Sequence, residues 1–382
     1  MRLSTFLRGW AGVVSVAFAL GCLLTGSVMA DAPSARIAML ARGINISHWF
    51  RFPPSNAASA MRSYLDEASL VSLQRSGFTY VRLAVGPEEV MQGNRIDPQK
   101  LQALLDAIAR IERAGLAAMV EPHPELMQNW DLTSNAGARD KLFGFWHDLA
   151  PALRRFPAAM TFPELVNEPS VKESPQWDAL QAQLLAVVRR SLPTATVILT
   201  GDEWSSIDGL LKVQPVSDRN VIYSFHTYDP ALFTLLGFWD PATNKTELAD
   251  YLPFPANDDP VCKRAIAPIH DSHTQQVAQY WCSLHSDQGS LEHNLRRATD
   301  WGHAHGVSVA MTELGAMGMI NPGSRMRYLQ AMRMSADHLN LPWSIWALDD
   351  QMGFGIDAHA FRSASQLSPA VLRAFDLKLP GR

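Results

Sequence analysis

The sequence predicts an α/β chain folded as a single (β/α)8 TIM barrel with a long loop after the sixth strand. Three observations point there. From Arg42 onward, short apolar runs alternate with longer stretches of helical periodicity, the mark of a parallel sheet wrapped by helices. Eight such units can be read in a chain whose 382 residues suit one large barrel. The polar residues that interrupt the pattern fall at the C-terminal ends of the apolar runs, which is where such a barrel carries its site.

Taken in order, Ala41 to Ile46 reads as the first strand and Asp66 to Arg75 as a helix closed by Gly77. Phe78 to Val85 is strand two and carries Arg82 inside an otherwise apolar segment. A guanidinium there needs a partner acid. Asp97-Pro98 opens a helix in which Leu101, Leu104, Leu105, Ile108 and Ile111 share one face. Strand three, Leu116 to Glu121, runs into His123 and a loop bearing Trp130, and a helix over Lys141 to Phe156 follows. Strand four, from Phe162, ends in Asn167-Glu168-Pro169. The proline biases Glu168 away from helix, so the carboxylate projects where the strand becomes a loop.

Trp177 to Ser191 is amphipathic, Ala195 to Thr200 is strand five, and Val221 to Tyr228 is strand six, with His226 and Tyr228 near its end. The connection from Asp229 to about Gly289 is then long and holds Trp239, Tyr251, Phe254 and two cysteines. Its aromatic content argues for an ordered lid or cleft wall. Leu291 to His305 is a helix, Val307 to Gly315 is strand seven carrying Glu313, and Gly323 to His338 is a helix. Trp343 to Leu348 is strand eight, and Ser368-Pro369 caps the closing helix.

Composition narrows the function. With 47% hydrophobic and 18% charged residues the chain has material for a large core, which excludes disorder. A net charge of -4, with no basic block beyond the N-terminus, argues against nucleic acid or an anionic membrane surface as partner and suits a neutral polymer. Residues 1–30 read as an export signal: Arg2 and Arg8, an apolar run from Trp10 to Leu24, then Val28-Met29-Ala30 before Asp31. The mature chain, 31–382, is then a periplasmic or secreted monomer without a membrane span. Lipid anchoring through Cys22, in a weak lipobox at Ala19 to Cys22, is the alternative. Of the three cysteines, Cys22 falls in the signal, leaving Cys262 and Cys282 as a pair suited to a disulfide in an oxidising compartment. His270 and His273 lie between them, so a Cys-His-His-Cys zinc site is the competing arrangement.

Two carboxylates on strand ends, flanked by histidine, tyrosine, arginine and tryptophan, are what cleavage of a glycosidic bond requires: one protonates the leaving oxygen while the other attacks the anomeric carbon. No metal or other cofactor is needed. At this point the sequence resembles glycoside hydrolase family 5, the large cellulase-like family, from Arg42 to the final helix. The pattern that carries the resemblance is Arg82, His123, Asn167 with Glu168, His226 with Tyr228, Glu313 and Trp346, in order on the expected strands.

The resemblance implies an exported retaining β-glycosidase, most specifically an endo-β-1,4-glucanase, with Glu168 as acid/base and Glu313 as nucleophile. Alternatives within the family are a β-mannanase, a β-1,3-glucanase or a transglycosylase; outside it, a non-catalytic carbohydrate-binding barrel. Arg82 and the Tyr228 hydroxyl should hold Glu313 ionised, and His226 should tune Glu168, which must stay protonated. Asn167 should bond the sugar 2-hydroxyl, His123 another hydroxyl, and Trp346 should floor the reacting subsite, with Trp343 in the core. Pro124 and Glu121 depart from the common pattern, which many relatives write with a second histidine and an aspartate. Trp130, Trp204 and Trp239 are candidates for stacking on pyranose faces at the rim.

Overall fold

The apolar runs become parallel strands because a sheet buried on both faces, wrapped in helices and closed on itself is the one place for them. Strands two, three, five and six are buried at every residue. A computed structural model describes residues 31–125, 132–171 and 174–379. In chain order the barrel strands are β1 (Arg42–Phe50), β2 (Tyr80–Val85), β3 (Ala117–Pro122), β4 (Thr161–Pro163), β5 (Val197–Thr200), β6 (Val221–Thr227), β7 (Ser308–Leu314) and β8 (Trp343–Ile345). They form one sheet of eight strands in the order β4-β3-β2-β1-β8-β7-β6-β5. Its two ends meet at a parallel bridge between Glu164 and Ile198, where the Leu165 amide donates to the Ile198 carbonyl at 3.1 Å.

The expected strands and main helices are present, with shifted ends. The first strand runs on to Phe50, and the helix expected from Lys141 begins at Ala136, where the Asn135 side chain caps it. The helix opened by Asp97-Pro98 spans Pro98–Arg113 and buries Leu104, Leu105, Ile108 and Ile111, its first turn held by the Asp97 carboxylate.

Two features were not legible in the sequence. A short helix, Ser34–Met39, precedes β1. Leu40, with Ile37 and Met39 beside it, packs on Tyr80, Met119, Phe162, Ile198, Ile222 and Ala310, a cluster separate from the larger one under the outer helices. These residues fill the N-terminal end of the barrel, so everything above them is sealed from below. The second feature is the connection after β6, expected as a loop. It contains four helices, Ala231–Thr234, Lys245–Tyr251, Asp259–Ile266 and Ser272–Ser283.

This insertion has a core of its own. Phe233 stacks on Trp281 with ring centroids 5.3 Å apart, and Phe254 meets Tyr328 of the barrel helix Pro322–His338 at 5.5 Å. Cys262 and Cys282 are bridged, with Cα atoms 5.7 Å apart, and so tie two of the helices together. A zinc site at that pair is thereby ruled out: the bridge consumes both thiolates, and His273 is bonded instead to Asp240 at 2.6 Å. Among the described residues no helix is long and apolar enough to cross a membrane.

Leu40 is fully buried. Leu40→Ala should therefore cost about 2–5 kcal/mol of unfolding free energy, read as a lower urea midpoint. A loss under about 0.5 kcal/mol, the range of surface substitutions, would show that the plug adds nothing to the barrel.

Candidate active site

Above the apolar plug the barrel interior turns polar around one cation. Arg82 of β2 has no exposed surface. Its Nε donates to Glu164 Oε2 at 2.6 Å and its Nη2 to Glu164 Oε1 at 3.0 Å, a two-pronged ion pair. Nη1 donates to Glu313 Oε1 at 2.6 Å and to Asn45 Oδ1 at 3.1 Å, and Nη2 also to Asn167 Oδ1 at 3.0 Å. Glu121 Oε1 lies 3.6 Å from Nη1. Burial works against the guanidinium's charge, yet Glu164, Glu121 and Glu313 together hold its pKa well above the usual arginine value.

Glu164 is the partner acid that Arg82 demanded and that the sequence reading left unnamed. Its signal was a carboxylate in a buried apolar run, four residues ahead of Glu168. Asn45 was likewise missed. It faces inward from β1 and donates to Thr312 O, Ser344 Oγ and Ile345 O at 3.0 to 3.1 Å, stitching β1 to β7 and β8 beneath the site.

Asn167 and Glu168 lie beyond the short strand β4, in the turn that follows it. Glu168 is left-handed, with φ of 41°, and so lies outside the right-handed helical region. A non-glycine residue held there costs on the order of 1–3 kcal/mol, which surrounding contacts must supply. One such contact is visible: Glu168 Oε1 is 2.9 Å from His226 Nδ1. In the β6–β7 register His226 stands opposite Glu313, after an irregularity at Phe225, and its Nδ1 is 3.5 Å from Glu313 Oε2. The Tyr228 hydroxyl donates to that same oxygen at 2.7 Å. One atom each from Glu168, His226 and Glu313 all lie within 4.8 Å of one another, and this is also the one group with metal-ligand spacing among the described residues.

The environments of the two carboxyls differ. Burial pushes Glu168 up to about 7, with Arg82 and Arg51 pulling it down and Glu164 adding to the rise. Glu313 is raised as well, again by burial, against the pull of His226 and Arg82, while Glu168 pushes it up and the Tyr228 hydrogen bond pulls it down. So Arg82 and Tyr228 make the contacts expected of them but do not bring Glu313 below its ordinary value. His226 is itself lowered to about 4 by burial, so it is neutral near pH 7, and Arg82 is the cation that acts on Glu313 there.

His123 has both ring nitrogens engaged, Nδ1 with Glu121 Oε1 at 2.8 Å and Nε2 with the Asn167 amide nitrogen at 3.0 Å. Since the amide donates, Nε2 accepts and Nδ1 carries the proton toward Glu121. The unusual Glu121 thus orients His123, which orients Asn167. Trp346 is 7% exposed but belongs to neither hydrophobic cluster, and its ring faces His123 at 5.4 Å. Trp343 is in the core against Phe375. Trp204 and Trp239 are 57% and 55% exposed in the segments after β5 and β6, while Trp130 lies outside the described residues.

A parallel eight-stranded barrel whose C-terminal mouth holds two buried carboxyls, one hydrogen-bonded to an imidazole and the other gripped by arginine and tyrosine, defines the class of barrel glycoside hydrolases. Within it, the family described as cellulase, glycosyl hydrolase family 5, matches residues 44–352, and the chain belongs to that family. Endoglucanase 3 of Fibrobacter succinogenes is 28% identical over 338 residues, which covers 80% of this chain and 49% of that protein. The chain therefore spans about half the length of that relative. A hyperthermophilic endo-β-1,4-glucanase solved in complex with substrate superposes with a TM-score of 0.71 at 19% identity, covering 90% of this chain and 99% of that one. A Thermotoga maritima endoglucanase bound to mannotriose superposes at 0.70 and 18% identity, with coverage of 90% and 99%.

Removing the central cation should be severe. Arg82→Met leaves Glu164 and Glu313 buried without their counter-ion, and should cost about 3–5 kcal/mol in denaturant unfolding. A near-wild-type midpoint would mean that the carboxylates do not depend on Arg82.

Proposed function

We propose that this chain is an exported, retaining endo-β-1,4-glucanase in which Glu313 is the nucleophile and Glu168 the acid/base. The observation that carries the reading is the close grouping of Glu168, His226 and Glu313, with atoms within 4.8 Å of one another. Retaining enzymes keep their two carboxyl groups about 5–5.5 Å apart, whereas inverting ones leave about 6.5–9.5 Å for a water. Glu313, held by Arg82 and Tyr228, attacks the anomeric carbon while Glu168 gives its proton to the leaving oxygen. A covalent glycosyl-enzyme forms. Esterification removes the negative charge of Glu313, so Glu168 loses a like-charged neighbour and its pKa falls. It then takes a proton from the incoming water.

The remaining amide hydrogen of Asn167 is free for the sugar 2-hydroxyl, because its carbonyl oxygen and its other hydrogen are taken by Arg82 and His123. His123 acts through Asn167 and through its packing on Trp346, the floor of the reacting subsite. Endo-β-1,4-glucanase is favoured because the relatives carry endoglucanase names. β-Mannan is the second reading, since a similar barrel has been solved with mannotriose. Export is supported by the N-terminal pattern of residues 1–30 and by the Cys262–Cys282 bridge. We infer that the helical insertion that follows Tyr228 walls the cleft, and that Trp204 and Trp239, exposed in the segments after β5 and β6, stack on further sugars.

The pH profile follows from the two carboxyls. The acid must be protonated, so kcat/KM should fall as pH rises through about 7. The nucleophile must be ionised, so activity should also fall at low pH, through the raised pKa of Glu313. Glu168→Gln should lose about 10²–10⁴-fold on polymer, lose the basic limb, and spare the first step on aryl glycosides whose leaving group needs no proton. A variant that keeps polymer activity would remove Glu168 from this role. Replacing part of the insertion with a short turn should change the ratio of polymer to aryl-glycoside rates; an unchanged ratio would make it a support only.

A further inference from the structure

Arg51 lies at the mouth of the same site and is not part of the pattern that identified it. It directly follows Phe50, the last residue of β1, and its backbone is fixed: the Gly86 amide donates to Phe50 O at 3.0 Å, and a Cβ on Gly86 would come within 3.2 Å of Arg51 Cα. The guanidinium carbon is 5.3 Å from the centroid of Trp346 and 4.7 Å from that of Phe52. Its Nε donates to Glu125, which follows β3. The two terminal amino groups have no acceptor among the described residues, and the side chain keeps 17% of its exposure. An arginine hooked at Nε, laid against two rings and without an acceptor for either amino group among the described residues is suited to bind oxygen atoms in the cleft.

The position in the cleft follows from chemistry. The acid must reach the glycosidic oxygen, so the leaving sugar lies on the Glu168 side, where the Trp204 amide meets Pro169 O at 3.3 Å. The sugar over Trp346, and those before it, therefore lie toward β8 and β1. On that side, past Phe52, is an open hollow of about 390 Å³ lined by His48, Phe52, Tyr64, Asp349 and His359 among others. Its size is within the range of small-molecule sites.

We propose that Arg51 is a substrate-binding residue of the glycone arm, its two terminal amino groups holding hydroxyl oxygens of the sugar that joins the Trp346 floor to the hollow behind Phe52. This rests on the assignment of Glu168 as acid. A second consequence is electrostatic. The groups that bear on Glu168 are Arg82, Arg51, Glu164, His226, Glu313 and Tyr228, and of the two cations only Arg51 keeps any exposure. Loss of its charge should move the basic limb of kcat/KM to higher pH, because the charge favours ionised Glu168.

The test is kcat/KM for phenyl β-glucoside, β-cellobioside and β-cellotrioside, whose poor leaving group needs the acid's proton, with wild type, Arg51→Met and Arg51→Lys, across pH. In the wild type each added glycone sugar should raise kcat/KM. Arg51→Met should lose about 10–100-fold of that gain, as for lost hydrogen bonds from a charged donor, and shift its basic limb upward. Arg51→Lys keeps the charge without the fork, so it should lose part of the gain with the limb unmoved; if the Met variant does not fold, this variant carries the test alone. Equal losses on all three substrates with an unmoved limb would make Arg51 a brace for Glu125 and overturn the proposal while leaving the acid assignment standing. A rate on unsubstituted β-linked oligosaccharide insensitive to Glu168→Ala at every pH would instead remove the acid itself.

Discussion

A fully buried guanidinium is the constraint on which this site depends. Taking Arg82 out of water costs several kcal/mol, recovered only if acids and hydrogen-bond acceptors of good geometry surround it. Glu164 neutralises it just past β4, Asn45 and Asn167 accept from it, and the remaining donor is turned on Glu313 at the far wall. One side chain from β2 thereby fixes atoms on β1, just past β4 and on β7. The apolar plug of Leu40, Tyr80, Met119 and Phe162 matters for the same reason: it keeps water from reaching the network from below, where water would weaken every one of these pairs.

From that fixed point the site gains its asymmetry. Glu313 shares the arginine and a tyrosine hydroxyl, whereas Glu168 sits on a left-handed turn with a neutral imidazole as partner. Burial raises both carboxyls, but only Glu168 lacks a direct cation. Two like groups placed in unlike surroundings can then divide the work of acid and nucleophile. His226 bridges them and, being neutral near pH 7, can relay hydrogen bonding without adding charge.

Much of this was legible in the sequence, for physical reasons. Strand ends are marked by the change from apolar runs to polar residues, so His123, Asn167, Glu168, His226, Tyr228 and Glu313 could be assigned to one mouth; Arg82 stood out as a cation inside an apolar strand, and Trp346 was placed with them only by the family resemblance. What escaped depends on tertiary contact. The helix Ser34–Met39 is too short to show a periodicity, and Leu40 acquires its meaning only by packing on six strands. Glu164 was hidden because one acid inside an apolar run carries no spacing signal, although the need for it followed from Arg82. The insertion is different: Asn244, Asp258 and Asp271 each cap a helix there, so its helices were signalled by residues that the reading passed over as loop.

The central claim is that Glu313 and Glu168, set close together by the Arg82 network, carry out a double displacement. The most direct test is ¹H NMR of the anomeric proton in the first product released from a β-linked oligosaccharide, recorded before mutarotation. The account predicts that the β-anomer appears first and the α-anomer grows in later. Initial release of the α-anomer would mean inversion and would contradict it.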